Sequence, residues 1–398
     1  MCSVKLMMLT AGTRGDVEPF AALARHASAR GHAVRLAVPD NAGADVSGLE
    51  VVSLHVDFAA LVADHGVSPW AAAAFRRVIR PAMGRMLSTA VDQIVAYAPD
   101  VVVYHPKVLT APIAADALEV PSVVVESVPS LSPTREFASP VISAASLGPF
   151  NRVTYRAVEL ASRMFRQEIA AACSSLPLGR PSARSRPSLM PISPQLLVRP
   201  RDWPADVHLT GAWAPAAVVP REDSELEDFM AGGEFICAGF GSMKAGDARQ
   251  RGQTIIDAAR RQGVNVLIVT GWGGLDVSGT AGGRDVLVRE SVDHGSIFPK
   301  AKAVIHHGGS GTVHAAARAG IPSIVVPFIG DQRFWGNLLH RRGLGPEPIP
   351  YRKLSSDRLA TALAESEAYR ENARLIGERM RSEDGLAVAV TVLENLAG

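Results

Sequence analysis

The stretch from Ile305 to Asn337 concentrates the groups that can do chemistry. His307 stands before Gly308, Gly309, Ser310, Gly311 and Thr312. A run of small residues follows, then an apolar segment that ends at Asp331 and Gln332. A strand end, a glycine turn and a helix start make an anion site, because free N–H groups and the helix dipole point at the ligand. His307 can donate to a phosphate oxygen or serve as an ordinary structural histidine. Ser310 and Thr312 offer hydroxyls and N–H groups, and Thr312 can equally be a cap. Asp331 and Gln332 suit vicinal hydroxyls, or simply a turn after Gly330. Trp335 offers a face to a sugar ring or packs in the core. Read as ligand groups, the set suits a phosphorylated sugar. No cysteine or acid stands at metal-ligand spacing here.

A second candidate is the loop Thr10-Ala-Gly-Thr-Arg-Gly-Asp16, between a buried strand and a helix. Gly12 and Gly15 give only part of a dinucleotide fingerprint, so NAD ranks last. Asp16 reads as a first-turn acid favoured by the helix dipole or as a general base facing a cleft. A third loop, Gly239 to Met243, presents Gly241 and Ser242 to a phosphate or forms a plain tight turn.

Apolar strands alternating with helices surround these loops. Val4 to Leu9, Ala33 to Val38, Val51 to Val56, Val101 to Tyr104 and Ser122 to Val125 read as strands. The helices between them run from Val17 to Arg30, Met83 to Tyr97 and Thr110 to Leu118. The pattern restarts at Phe235 to Ala238, Asn265 to Val269 and Val286 to Val288. This alternation predicts an α/β protein, with two doubly wound, Rossmann-like domains facing a central cleft. The predicted divisions are an N-terminal domain over 1–200, a linker over 201–220, a C-terminal domain over 221–375 and a C-terminal helix over 376–398 that packs back on the first domain. Proline and unpaired arginine from Leu176 to Trp213 mark the end of the first domain.

The 398 residues allow two domains, and 47% apolar with 20% charged residues describe a globular chain. A net charge of +2 argues against nucleic acid as a partner. Three scattered cysteines suggest reduced thiols in a cytoplasmic protein. No apolar run reaches membrane-span length, and peripheral membrane contact stays open. Trp70, Phe75, Phe137, Phe150 and Tyr155 line an apolar pocket or fill ordinary core. Arg76, Arg77, Arg80 and Arg85 face anionic lipid or solvent.

Thr10 to Pro19, Phe240 to Met243, Val292 to Pro299, His306 to Thr312 and Pro327 to Asn337 together resemble the UDP-glycosyltransferases of GT-B fold. Pro327 to Asn337 is similar in particular to the sterol glucosyltransferase branch, and Asp202 to Trp213 to that branch's interdomain segment. Bacterial natural-product glycosyltransferases share these motifs. The resemblance implies an inverting, metal-independent hexosyltransferase with no cofactor beyond the nucleotide-sugar co-substrate. The donor it implies is UDP-glucose or a dTDP-sugar. The acceptor is a hydrophobic small molecule with a free hydroxyl: a polyketide, a macrolide or a sterol-like lipid.

Carried onto this chain, the resemblance implies that Asp16 is the catalytic base. Thr13 and Arg14 lie near the donor. Gly241 and Ser242 touch the diphosphate, and Ser291 and Val292 hold the nucleobase. His307 and Gly309 to Thr312 cradle phosphate, while Asp331 and Gln332 hold sugar hydroxyls. Trp70, Phe137 and Trp335 are the candidate acceptor contacts. Ala315 stands where plant members carry the glutamate that holds ribose. The alternative is a catalytically silent nucleotide-sugar binder that activates another transferase.

Overall fold

The computed structural model describes the chain apart from residues 1–2, 59, 62–74, 144, 178–185, 215–222, 242, 244–245, 272 and 279–282. Trp70 and Ser242 therefore lie outside the described residues. The strands of the first half are β1 (Lys5–Leu9), β2 (Ala33–Val38), β3 (Glu50–Ser53), β4 (Val101–Tyr104), β5 (Ser122–Val125), β6 (Ser188–Met190) and β7 (Val207–Leu209). They form one sheet in the order β3-β2-β1-β4-β5-β6-β7, every pair parallel. The second half contributes β8 (Phe235–Gly239), β9 (Asn265–Val269), β10 (Val286–Arg289), β11 (Val304–His306) and β12 (Ser323–Val325). Their order is β10-β9-β8-β11-β12, again parallel throughout.

The helices that bear on the site are α1 (Arg14–Ala29), α2 (Arg80–Tyr97), α3 (Ala111–Ala117), α4 (Asn151–Ser162) and α5 (Arg166–Ala172) in the first half. The second half carries α6 (Ser224–Ala231), α7 (Ala248–Arg261), α8 (His294–Ile297), α9 (Ser310–Ala319), α10 (Gln332–Arg341), α11 (Ser356–Ser366), α12 (Arg370–Arg381) and α13 (Gly385–Ala397).

Strands such as Val101–Tyr104 and Ser122–Val125 are apolar and buried over their whole length. That composition fits a sheet covered on both faces rather than one washed by water. On one face of the first sheet, Met7 and Leu9 pack with Met86, Leu87 and Ile94 of α2. On the other, Leu6 and Met8 pack with Phe20 and Leu23 of α1.

Strand order in each sheet reverses direction at one place. In the first sheet this lies between β1 and β4, in the second between β8 and β11. Loops leaving the carboxyl ends of those strands diverge there and open a crevice, the usual ligand position in a doubly wound sheet. The loops after β1, β8 and β11 are those whose residues drew attention in the sequence.

Three divisions differ from expectation. Residues 201–220 are not simply a linker, because Val207–Leu209 joins the first sheet beside β6. Leu176 to Trp213 likewise contains two strands of that sheet, each only three residues long and set among prolines that hide its pattern. Residues 376–381 remain in α12, whose Ala373, Ile376 and Met380 sit in a core with Val313 and Ala317 of α9. The crossover begins at Asp384, which caps α13 by accepting from Ala387 N at 3.1 Å. The α13 side chains Ala389, Val390 and Leu393 enter the α1 core. Glu394 there meets Arg30 at 3.0 Å and His32 at 2.9 Å. Pro19 falls in the second turn of α1, because capping at Thr13 starts the helix at Arg14.

A further apolar core joins the two halves. Met190, Ile192, Leu196 and Trp203 pack with Val313, Phe334, Trp335 and Met380. Arg342 Nε donates to Leu196 O at 2.8 Å beside it. The two switch points are thereby held facing one another.

Candidate active site

The N-terminal half of the site is built around Asp16. It occupies the third position of α1, and Thr13 N donates to its Oδ2 at 2.9 Å. That bond satisfies one of the N–H groups a helix start leaves free. The capping reading of Asp16 is therefore physically present, and it uses only one oxygen. Oδ1 faces Nε2 of His105 at 3.3 Å, and Lys107 Nζ stands 3.4 Å from Oδ2. Gly12 makes this approach possible: its φ is +143°, and a Cβ there would overlap Asp16 Oδ2.

His105 and Lys107 leave the end of β4, which pairs with β1 in register Leu9↔Tyr104. His105 Nδ1 accepts from Lys107 N at 3.2 Å, so the ring proton belongs on Nε2, pointing at Asp16. Burial by itself would raise the Asp16 pKa. The His105 N–H, the Lys107 ammonium and the Thr13 N–H outweigh it and hold the carboxyl well below the usual carboxylate range. Burial lowers the pKa of His105, despite the nearby carboxylate. At neutral pH the pair is a carboxylate held by a neutral imidazole.

The C-terminal half is built around His307. Gly241, at φ +55°, lies beside the ring: its Cβ position is 3.6 Å from His307 Cε1, an ordinary packing distance, so the glycine serves the left-handed backbone rather than the ring. His307 Nδ1 is buried and has no partner among the described residues. Burial lowers the His307 pKa to about 4, so the ring is neutral at pH 7. A Cβ on Gly309 would strike the imidazole, so this glycine lets the helix start close against it. Among the described residues, no side chain caps α9. The N–H groups of Ser310, Gly311 and Thr312 therefore point outward from the helix start, which lies against the His307 ring. The Ser310 hydroxyl is turned away from this cradle and donates to Ser127 O of the first domain at 3.1 Å.

Asp331 precedes α10. Its Oδ2 accepts from Trp335 Nε1 at 2.8 Å, leaving Oδ1 for another donor. Burial raises the Asp331 pKa, and the charges of Asp16 and Lys107 both act on it across the cleft. Gln332 is almost wholly buried. Its Oε1 accepts from Phe328 N at 2.7 Å and Ile329 N at 3.1 Å, bracing the loop that presents Asp331. Its Nε2 points at Met243 Sδ at 3.2 Å.

Arg14 is exposed and pairs with Glu18 at 2.5 Å. Its charge helps hold His294 neutral, with burial the larger cause, so Arg14 reaches towards the 291–294 segment. Ser291 there is exposed and Val292 half-buried. Asp293 accepts from Ser296 N at 2.9 Å and starts α8.

Most of this chain aligns with sugar-transferring enzymes. It is 29% identical over 415 residues to a sterol 3-beta-glucosyltransferase of Arabidopsis thaliana, covering 97% of this chain and 64% of that protein. It is 30% identical over 425 residues to the O-mycaminosyltylonolide 6-deoxyallosyltransferase of Streptomyces fradiae, covering 99% of this chain and 98% of that one. The chain belongs to the GT-B glycosyltransferases.

Within this glycosyltransferase, residues 6–141 match the glycosyltransferase family 28 N-terminal domain. Residues 284–396 match the C-terminal domain of the erythromycin biosynthesis protein CIII-like family. The two-sheet architecture is that of the spinosyn forosaminyltransferase SpnP, with a TM-score of 0.73 at 16% identity over the whole of both chains.

The site residues expected from the sequence of the glycosyltransferase fall in several places: Ser291 and Val292 lie between β10 and α8, and Gln332 is turned inward, bracing the Asp331 loop instead of facing a sugar. Thr13, Arg14, Asp16, Gly241, His307, Gly309 to Thr312 and Asp331 lie on loops and helix starts at the facing switch points. Phe137 lies apart from them. It packs edge-on to Trp203 at 6.2 Å and lines an open groove of about 320 Å³ with Phe334 and Leu338. Trp335 requires correction as an acceptor contact. It is fully buried, packed on His314 and Phe334, and gives its N–H to Asp331, so it has no free face.

His105 and Lys107 were not singled out in the sequence. Their signal is positional: they follow an apolar strand whose carboxyl end proves to adjoin β1. Glu126 likewise carries no motif in the sequence. This fully buried carboxylate directly follows β5, and burial raises its pKa. It accepts from Leu131 N at 2.7 Å and from the Ser132 and Ser188 hydroxyls at 2.6 and 2.7 Å. It thus shapes the loop that carries Ser127.

Proposed function

We propose that the chain transfers a sugar from a nucleoside-diphosphate sugar to a hydroxyl of an apolar small molecule, with inversion at the anomeric carbon. The observation that carries this reading is the Asp16 carboxylate, held by His105 at 3.3 Å and within electrostatic reach of Asp331 across the cleft.

The acceptor hydroxyl gives its proton to Asp16 as its oxygen bonds to the anomeric carbon. The bond from that carbon to the diphosphate oxygen breaks, and negative charge collects on the leaving diphosphate. His105 does not take the acceptor's proton, because both ring nitrogens are committed. It orients Asp16 and keeps it ionised. A strongly acidic carboxyl is a weak base at the start, but the acceptor oxygen loses basicity as its new bond forms, so proton transfer becomes favourable late.

Charge on the leaving diphosphate is met by the N–H groups of Ser310, Gly311 and Thr312, and by His307, whose buried Nδ1 lacks a partner. Donors fixed in place before the reaction act mainly on the transition state. Asp331 Oδ1 accepts from a hydroxyl of the donor sugar, since Oδ2 is taken by Trp335. These groups need no metal ion, and turnover is expected to continue in EDTA.

The test is mass-spectrometric transfer with UDP-glucose and dTDP-sugars against polyketide, macrolide, phenolic and sterol acceptors. Sugar-adduct formation with release of nucleoside diphosphate is expected. Tight nucleotide-sugar binding with neither transfer nor hydrolysis across that panel would instead make the chain a silent binding partner.

A further inference from the structure

Helix α4 has its polar side inward. The buried residues are Asn151, Thr154 and Tyr155. Asn151 Nδ2 donates to Arg135 O at 2.8 Å, Ser139 N donates to Thr154 Oγ1 at 2.8 Å, and Tyr155 Oη donates to Phe137 O at 3.3 Å. The helix is clamped to the 135–139 loop by these bonds.

Its outward side carries an apolar stripe. Phe150, Val153, Leu160 and Met164 are 68%, 55%, 57% and 53% exposed. Spacings of three, seven and four residues set them along one stripe of the helix and its extensions. Val141, Ile142 and Leu147, in the loop leading to the helix, are also exposed. Single exposed apolar side chains are unremarkable, but a continuous stripe marks an interaction surface.

Charge decides the occupant. Between residues 150 and 166 stand Arg152, Arg156, Arg163 and Arg166 against one acid, Glu159. All four arginines are exposed. Arg156, Arg163 and Arg166 form no ion pair with a described residue. An apolar stripe flanked by arginines is the pattern of a helix lying in a membrane interface, with its apolar side among the acyl chains and its cations at the headgroups. A second copy fits poorly. A two-fold pairing of this face brings the same arginine rows together with one acid per copy to offset them. We propose that the outer face of α4 docks the protein on an anionic lipid surface.

Flotation of the full chain with vesicles tests this. Binding is expected to phosphatidylcholine vesicles containing phosphatidylglycerol, with release by salt, and weak binding to phosphatidylcholine alone. Arg156→Glu with Arg163→Glu, and separately Leu160→Ser with Met164→Ser, are each expected to lower partitioning at least about tenfold. Both pairs are exposed, so unfolding temperature should hold and serves as the folding control. Failure of the wild type to float with either vesicle overturns the proposal, as does undiminished partitioning of both variants. Wild-type self-association that the Leu160→Ser, Met164→Ser variant loses, without vesicle binding, assigns the face to a second copy instead.

Discussion

Asp16 and His105 meet at 3.3 Å, one from the first turn of α1 just after β1 and the other from the turn after β4. Parallel pairing of those strands brings the two turns side by side, and the imidazole proton is directed at the carboxylate. His105→Phe keeps an aromatic ring and removes the donor. The expected result is a fall in kcat of about 10- to 100-fold, the scale of a misplaced catalytic group, with donor KM little changed. Steady-state kinetics at saturating donor check this, and a wild-type kcat would remove His105 from the account.

Lys107 tunes the same carboxylate. Its ammonium is one of the groups holding the Asp16 pKa low, so Lys107→Met raises that pKa. The acidic limb of kcat/KM follows protonation of the base in free enzyme and moves to higher pH. Lys107→Arg keeps the charge and leaves the limb in place. Coincident limbs in wild type and Lys107→Met would contradict the assignment.

Much of this was legible in the sequence, for definable reasons. Strands such as Ala33–Val38, Val101–Tyr104 and Asn265–Val269 stand out as apolar runs between turn residues, and two βα series imply two switch points. Strand order within a sheet is not written in any one segment. His-Pro-Lys at 105–107 carries no motif of its own, and its place in the site follows only from β4 lying beside β1. Val207–Leu209 was hidden by its brevity, and α4 by having its apolar residues outside. Trp335 was open between ligand and core, and only packing resolved it.

The C-terminal domain carries four histidines held neutral by burial, with pKa lowered to about 3 for His306 and about 4 for His294, His307 and His314. The usual value is 6.5. The unfolded chain therefore binds more protons than the folded one between those limits. Stability is full above about pH 6.5 and falls as pH drops towards 4, by linkage. Urea unfolding at pH 7 and pH 5 measures it, and equal midpoints would contradict neutral burial.

Trp335 acts through Asp331. Trp335→Phe removes the donor to Oδ2 while filling much of the space. Stability is expected to fall by about 1–2 kcal/mol from the lost buried hydrogen bond. Donor KM should rise because the carboxylate loses its anchor, and acceptor KM should not move. A selective rise in acceptor KM would restore Trp335 as an acceptor contact.

The central claim is that the Asp16 carboxylate takes the acceptor's proton. Asp16→Asn keeps the side-chain volume and an acceptor for Thr13 N while removing the base. The decisive measurement is kcat of this variant beside its calorimetric affinity for the nucleotide-sugar donor. A fall in kcat of at least about 10² with affinity nearly unchanged is predicted. Wild-type turnover by Asp16→Asn would contradict it.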